Sequence, residues 1–471
     1  MARKRNRVLE DVRVEKYVAE GKCLSRIDDQ VIFIKNAVPG DLVDLIIERK
    51  KPSFSEARIK SLKEPSPLRK EAFCEHFGVC GGCKWQNLDY NKQLEFKQQQ
   101  VEDQLSRIGK VDLPKVQPII GAEETEEYRN KLEYTFTNMR WITKEEMDSD
   151  EEFERRGVGF HVPGQYDKVV DLNKCHLQKD ISNKIRIHIR DFAKENNLEF
   201  YNVKQHSGIL RNLMIRLAET GELMIILQVS NCEFNDIEAL LESVKNTFPE
   251  ITSLLYVINN KKNDTIFDQE IVTYNGNDFI MEEMPIETGQ RLKFKIGPKS
   301  FFQTNTKQAI KLYEKTKELA NIQPDEVVYD LYTGTGTIAN FVANKAKKVI
   351  GLEYVKEAID DAFINSEINN ITNTDFYAGD MKDILTTSFI NKHGKPDVII
   401  TDPPRAGMHK DVIEMLKFAS PNRIVYVSCN PATQARDLDL LKEMYSVKDV
   451  IPADLFPHTH HVENIVLLVK K

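Results

Sequence analysis

The last third of this 471-residue chain restricts its fold more than any other stretch. Past residue 305 the apolar runs EVVYDLY, KVIGLEY, DFYAGD, DVIITDPP and RIVYVSC alternate with amphipathic helical segments. Strands that are apolar throughout, separated by helices, indicate an α/β domain with a parallel, doubly wound sheet covered on both faces. Ligands of such sheets bind at the carboxyl ends of the strands, which is where several of these runs stop.

The first run leads into DLYTGTGTIA, with Gly334, Gly336 and then Ala339 at the third small position. Small residues there let a cofactor approach the backbone closely, and Glu353, about twenty residues on, can take both hydroxyls of a ribose. An adenosine-containing cofactor is expected, and the spacing serves a dinucleotide as well as S-adenosylmethionine. Asp380, in YAGDM after the third strand, is the natural partner for an adenine amino group. TDPPRAG ends the fourth strand, where two prolines fix the backbone, remove two amide donors and hold Asp402 outward. A plain turn would use the same residues. Amino-group methyltransferases follow a similar Asp-Pro-Pro with an aromatic residue that stacks on the base; Arg405 stands there instead, against adenine N6 chemistry.

VYVSCNPAT closes the fifth strand on Cys429. A buried strand can use cysteine as a small apolar filler. Beside a methyl donor, however, a thiolate has a specific use. Carbon 5 of uracil is too electron-poor to attack a methyl sulfonium, and a thiolate adding to carbon 6 converts the ring to an enolate whose carbon 5 is nucleophilic. The carbon-5 proton must then leave to a base. HTHHVENIVLLV offers Glu463 at the head of a last strand, with His458, His460 and His461 beside it; a solvated strand-end glutamate is the alternative.

A second cysteine group, CEHFGVCGGCKWQ, places Cys74, Cys80 and Cys83 among Gly78, Gly81 and Gly82, with Cys175 as a distant fourth. This spacing predicts a metal site and leaves zinc and an iron-sulfur cluster balanced. Cys23 and Cys232 read as packing residues. Seven cysteines in a chain of this length argue for ligation or catalysis over a disulfide framework, given a cytosolic location. That location is expected because no apolar run approaches the roughly 20 residues that cross a bilayer, and MARKRNRVLEDVRV has no apolar secretory core. No membrane association and no obligate protein partner are expected, and a monomer is.

Residues 1–70 hold 17 Lys+Arg against 11 Asp+Glu, whereas the whole chain carries −7. A basic module precedes an acidic body, which suits a nucleic-acid-binding appendage. Its period-two segments VRVEKYV, VIFIK, LVDLIIE and EARIKSL predict a small, five-stranded antiparallel barrel, closed by the linker PSPLR. Leu94, Val101, Leu105 and Ile108 predict one apolar helical stripe. From about residue 110 to 290, KLEYTFT, LMIILQVS and SLLYVIN mix with helical segments as an α+β domain, and EEMDSDEEFE reads as an exposed acidic loop.

These motifs, in this order and over nearly the whole chain, resemble the family of RNA uracil-C5 methyltransferases, most of all the type acting on 23S ribosomal RNA. AVPGDLVDLIIERKKPSFSEARI is similar to the RNA-binding TRAM domain, and FFQTN, DLYTGTGTIA, TDPPRAG, VSCNPAT and HHVENIVLL follow as in the family. The resemblance implies a class I S-adenosylmethionine-dependent methyltransferase domain at 296–471, after a TRAM barrel at 1–68 and a middle domain at 69–295. It implies a methyl-donor site at Gln303, Tyr332, Glu353 and Asp402, Cys429 as nucleophile and Glu463 as proton acceptor. It moves Cys74, Cys80, Cys83 and Cys175 from zinc to a [4Fe-4S] cluster. YRNKLEYTF and HSGILRNLMIR match the middle domain, where Arg129, Lys131, Arg211 and Arg216 are expected to meet phosphates. The partner implied is RNA, in a structured loop with an unstacked uridine. Two features depart from the family: a glycine pair early in the barrel is reduced to Gly21 beside Cys23, and the acidic insertion near 145–155 is extra. Rival readings are a transfer-RNA uridine enzyme, a catalytically silent iron-sulfur RNA-binding protein, and a cytosine-C5 enzyme. The last typically presents Pro-Cys where this chain has Ser428-Cys429.

Overall fold

The computed structural model describes residues 7–149, 152–287 and 289–471. The first six residues, part of the opening stretch read above for a leader, and residues 150 and 151 of the acidic stretch lie outside the described residues. Among the described residues no helix is long and apolar enough to cross a membrane.

Seven strands form the C-terminal sheet: β1 (Val327–Leu331), β2 (Lys348–Glu353), β3 (Thr374–Ala378), β4 (Val398–Thr401), β5 (Arg423–Ser428), β6 (Tyr445–Ala453) and β7 (Glu463–Lys470). Their spatial order is 3-2-1-4-5-7-6, with β1 to β5 parallel and β7 antiparallel to both β5 and β6. The unbroken apolar runs have a simple cause. Alternate residues serve two cores, Val328, Ile400, Val425 and Ile465 on one face and Tyr329, Ile399, Tyr426 and Val466 on the other. This is the class I S-adenosylmethionine-dependent methyltransferase fold. Strand order reverses between β1 and β4, which opens a crevice at their carboxyl ends.

The middle of the chain builds a second seven-stranded sheet, in which Leu210–Leu217 pairs antiparallel with both Lys131–Thr137 and Leu223–Val229. Helices Ile181–Glu195 and Phe234–Thr247 cover one face. From the other face Met214, Met224, Ile226 and Val257 join the core of the C-terminal domain. Between the two lie the hairpin Ile280–Pro285/Arg291–Ile296 and the helix Thr306–Ala320. The N-terminal segment forms a six-stranded sheet around Val12, Ile32, Ile34, Val43 and Leu45, one strand more than expected because Lys16–Tyr17 pairs with Cys23–Leu24, and not wholly antiparallel as expected, since Gln30–Lys35 runs parallel to Phe54–Glu64. Cys23 is a buried filler there, whereas Cys232 is half-buried. Fully buried Asp41 accepts from Val38 N (2.7 Å) and Ser66 N (2.9 Å) and pairs with Arg69 (2.7 Å), so the PSPLR segment is bolted to this sheet.

Three expectations are corrected. Arg211 and Arg216 do not reach out to phosphates. Arg211 is 1% exposed and donates to Asn259 O (2.6 Å) and Lys261 O (2.7 Å), while buried Arg216 donates to Ser300 O (2.7 Å). Both tie loops to the sheet. The helix Tyr90–Gly109 buries Val101 and Leu105 as predicted, but the inward stripe continues through Gln93, Lys97 and Gly109 at four-residue spacing, while Leu94 is half-buried and Ile108 is exposed. Although it precedes the middle sheet in sequence, this helix packs along the helix Pro431–Leu441 of the C-terminal domain. Part of the acidic stretch is helical, Lys144–Asp148, started by a reciprocal Thr143/Glu146 cap and held by an Arg140–Glu146 ion pair.

Candidate active site

The crevice gathers residues from the ends of β1, β4, β5 and β7. Leu331 pairs with Thr401, Thr401 with Tyr426, and Ser428 with Asn464. Asp402, Cys429 and Glu463, each one residue beyond these pairs, therefore converge although β7 arrives from the opposite direction. The SCNP sequence explains how Cys429 is placed. Asn430 caps the following helix by accepting from Ala432 N (3.2 Å), and Pro431 fills the first helical turn, where no amide donor is needed. Ser428 Oγ accepts from Asn430 N (3.1 Å), and Asn430 Nδ2 donates to Arg405 O (2.9 Å). Cys429 thus sits on a pinned strand-to-helix junction, half-buried and facing Arg405.

The electrostatics are those of a crowded acidic pocket. Burial, then the Asp402 carboxylate, pushes Glu463 up to about 8 against the pull of Arg405. Burial alone pushes Asp402, a half-buried residue, up to about 7. Burial, Glu463 and Asp402 together push the Cys429 thiol up to about 11, and Arg405 opposes them. Burial is the largest cause in all three, and at Glu463 and Cys429 the neighbouring carboxyl groups add to it. Arg405, which the sequence marked only as a missing aromatic, is the cation of this pocket, and its Nη2 lies 3.1 Å from His461 Nδ1. The three histidines go different ways: His461 faces Arg405, His460 packs on His461 and Gly21, and His458 turns into the interior toward Gln93.

On the cofactor side, Tyr332, Gly334 and Gly336 all adopt positive φ (64°, 56° and 74°). A side chain at Gly336 would press on Ala362 and Phe376, whereas the space above Gly334 is open. The Glu353 carboxylate accepts from Gly334 N (3.2 Å), Tyr354 N (2.9 Å) and Val355 N (3.0 Å). With about four acceptor positions on a carboxylate, ribose hydroxyls would compete first for the long Gly334 contact. Gln303 is buried, and its backbone oxygen is held by Asn130 Nδ2 (2.8 Å). Asp380 caps the helix Met381–Ile384 and lies 3.2 Å from the Lys382 ammonium, which lowers its pKa. Asp330, buried under the glycine turn and held by Thr333 (2.5 Å), is pushed up to about 7 by burial.

Cys74, Cys80, Cys83 and Cys175 line one apolar cavity with Phe77, Phe160, Leu172 and Leu177. All four are free thiols. Gly81 makes the fold possible, because a side chain there would lie 2.6 Å from His161 O. Among the described residues no three His, Cys, Asp or Glu side chains are arranged around a single metal ion.

Residues 268–471 match the family model described as tRNA (Uracil-5-)-methyltransferase. An uncharacterized RNA methyltransferase of Bacteroides thetaiotaomicron is 57% identical over 96% of this chain and 99% of its own length. The chain belongs to the RNA uracil-5-methyltransferase family. A second RNA methyltransferase, of Porphyromonas gingivalis, is 55% identical over 96% of this chain and 98% of its own length. Among solved structures, the Pyrococcus abyssi tRNA (uracil-54, C5)-methyltransferase in complex with S-adenosyl-L-homocysteine is similar throughout, with TM-score 0.73, 27% identity, and coverage of 97% of this chain and 99% of that one. This methyltransferase is S-adenosylmethionine-dependent and acts on RNA.

Proposed function

We propose that the protein transfers a methyl group from S-adenosylmethionine to carbon 5 of a uridine in 23S ribosomal RNA, through an adduct between Cys429 and carbon 6 of the base. The observation that carries this reading is the placement of Cys429 on a pinned junction facing Arg405, with Asp402 and Glu463 beside it. Gln303, Tyr332, Gly334, Glu353, Asp380 and Asp402 would hold the methyl donor. When bound, that donor supplies an electrophilic methyl group and a positive charge that favours the ionised forms of Cys429, Asp402 and Glu463. Cys429 loses its proton to solvent as its sulfur bonds to carbon 6, and Arg405 favours the thiolate. The displaced electron pair gives carbon 5 the nucleophilicity to take the methyl. Glu463 then removes the proton from carbon 5, the ring double bond re-forms, and the Cys429 thiolate leaves and regains its proton. The target base must be unstacked to reach this depth.

We read 1–68 as a TRAM-type RNA-binding barrel, 69–295 as the middle domain and 296–471 as the catalytic domain. Cys74, Cys80, Cys83 and Cys175 are read as ligands of a [4Fe-4S] cluster. Four thiols spread around one apolar cavity suit a multi-iron cluster better than a single ion. Methyl transfer is redox-neutral, so the cluster is read as structural or RNA-positioning.

The Pyrococcus abyssi likeness favours a second reading, in which the uridine lies in transfer RNA. Mapping 5-methyluridine in RNA from cells with and without the gene separates the two. Loss confined to 23S RNA supports the first and loss confined to transfer RNA the second. Unchanged 5-methyluridine in all RNA refutes both.

A further inference from the structure

The loop between β6 and β7, residues 454–462, delivers Glu463 to the crevice, and a segment some 360 positions earlier holds it in place. Lys97 Nζ contacts Asp454 Oδ1 at 2.6 Å, both side chains fully buried, and also donates to Phe456 O (3.0 Å). Tyr90 OH donates to Asp454 Oδ2 (3.0 Å). Gln93, likewise fully buried, accepts from His458 N through Oε1 (2.9 Å) and brings Nε2 to 3.1 Å from His458 Nδ1. The same Nε2 donates to Trp85 O (2.9 Å) and Leu88 O (3.0 Å), while Lys84 N (2.8 Å) and Trp85 N (3.1 Å) donate to His458 O. One amide side chain thus ties the loop to the segment that follows Cys83, and it does so at His458, whose φ of 65° is a conformation that side chains rarely adopt.

Stability alone does not account for this. A buried ion pair or amide is matched or bettered by apolar residues of similar volume, and the neighbouring inward positions of the same helix are Val101 and Leu105. Directional contacts to backbone groups instead select one loop conformation over others that would pack as well. We propose that Gln93, supported by Lys97, is a positioning residue that sets Glu463 for removal of the carbon-5 proton. The proposal rests on the covalent reading above for its chemical readout. A displaced Glu463 leaves addition of Cys429 and methyl transfer intact but blocks the last step. The product is a protein–RNA adduct that carries both methyl and hydrogen on carbon 5 and cannot eliminate.

Gln93→Met removes the amide at nearly constant volume. Its turnover is expected to fall by about 100-fold, the scale of an ångström-sized misplacement, with unchanged affinity for S-adenosylmethionine. Methylated covalent adduct should accumulate on denaturing gels. Hydrogen exchange should quicken across residues 455–463 and stay unchanged in β5. Should Gln93→Met not fold, Gln93→Asn keeps the amide, shortens its reach by one methylene and is read the same way. Unchanged exchange in the loop, or a fall in turnover without adduct accumulation while the parent traps RNA normally, overturns the positioning role. If the parent itself never forms an adduct, the covalent mechanism fails, and the exchange measurement still decides the role of Gln93.

Discussion

The molecule keeps cysteines in two settings that burial alone does not distinguish. Burial raises Cys429 to about 11, Cys80 to about 11 and Cys83 to about 12. What differs is the company. Cys429 stands alone among thiols, with two carboxyl groups and one guanidinium beside it. Cys74, Cys80, Cys83 and Cys175 line one apolar cavity, and beyond burial the neighbouring thiols raise Cys80 and Cys83. A lone thiol with an acid and a cation can be ionised briefly, react and be restored. Four thiols in an apolar cavity can be anionic together only around positive charge, which is what a metal cluster supplies.

The sharpest test of that contrast is the nucleophile. Cys429→Ala should lower methyl transfer by at least about 1,000-fold, as expected when the attacking group itself is lost. Binding of S-adenosylmethionine should be unchanged, and trapping by RNA containing 5-fluorouridine should disappear. Full turnover by this variant would place Cys429 with the fillers. Glu463→Gln should cost about 100- to 10,000-fold and behave differently in kind, because addition and methyl transfer proceed and the adduct persists. Adduct counted on denaturing gels separates the two variants.

The quartet should respond in stability and metal content before it responds in chemistry. Protein purified without oxygen is expected to be brown, with iron and acid-labile sulfide, and Cys83→Ala should lose both. The accompanying loss of stability should lie at the upper end of single-residue effects, about 3 to 5 kcal/mol, where loss of a metal belongs. The loss of turnover should be far smaller than in Cys429→Ala. Stoichiometric zinc without iron would contradict the cluster, and a Cys83→Ala enzyme as dead as Cys429→Ala would erase the distinction between the two settings.

Much of the catalytic domain was legible in the sequence because its strands are buried on both faces and end in residues with chemistry. Asp402 and Cys429 stand where apolar runs stop and Glu463 where the last one begins, and the sheet brings the three together. The hidden features share one physical origin, polar side chains doing interior work. Gln93 and Lys97 extend the inward stripe that Val101 and Leu105 begin, where the apolar pattern offered Leu94 and Ile108 instead, and Ile108 lies outside. Arg211 and Arg216 read as surface cations because arginine usually is one, yet they satisfy loop carbonyls inside the protein. The Lys97–Asp454 pair joins positions 357 apart, and no local pattern encodes such a partner.

The last contrast lies in the pH dependence of stability, where the two settings occupy different windows. Glu463 ionises near its ordinary value of 4.5 in the unfolded chain and near 8 in the folded one, raised by burial and Asp402. Below the lower value the group is protonated in both states and costs nothing. Between the two values the unfolded chain binds fewer protons, so stability falls as pH rises, with a slope of on the order of 1 kcal/mol per pH unit. Above about 8 the cost is complete and constant. Glu463→Gln removes this component, so its stability relative to the parent should climb with pH through that window and level off beyond it. The thiols of the quartet start from 9 and are raised further, so in protein stripped of metal their contribution is lost only on the alkaline side of that value. Denaturation measured across pH on Glu463→Gln, Cys83→Ala and the parent should therefore show two separate slopes. If Glu463→Gln parallels the parent from about pH 5 to about pH 8, the carboxyl is not held in its protonated form by the pocket. Its suitability as the final base would then rest on position alone.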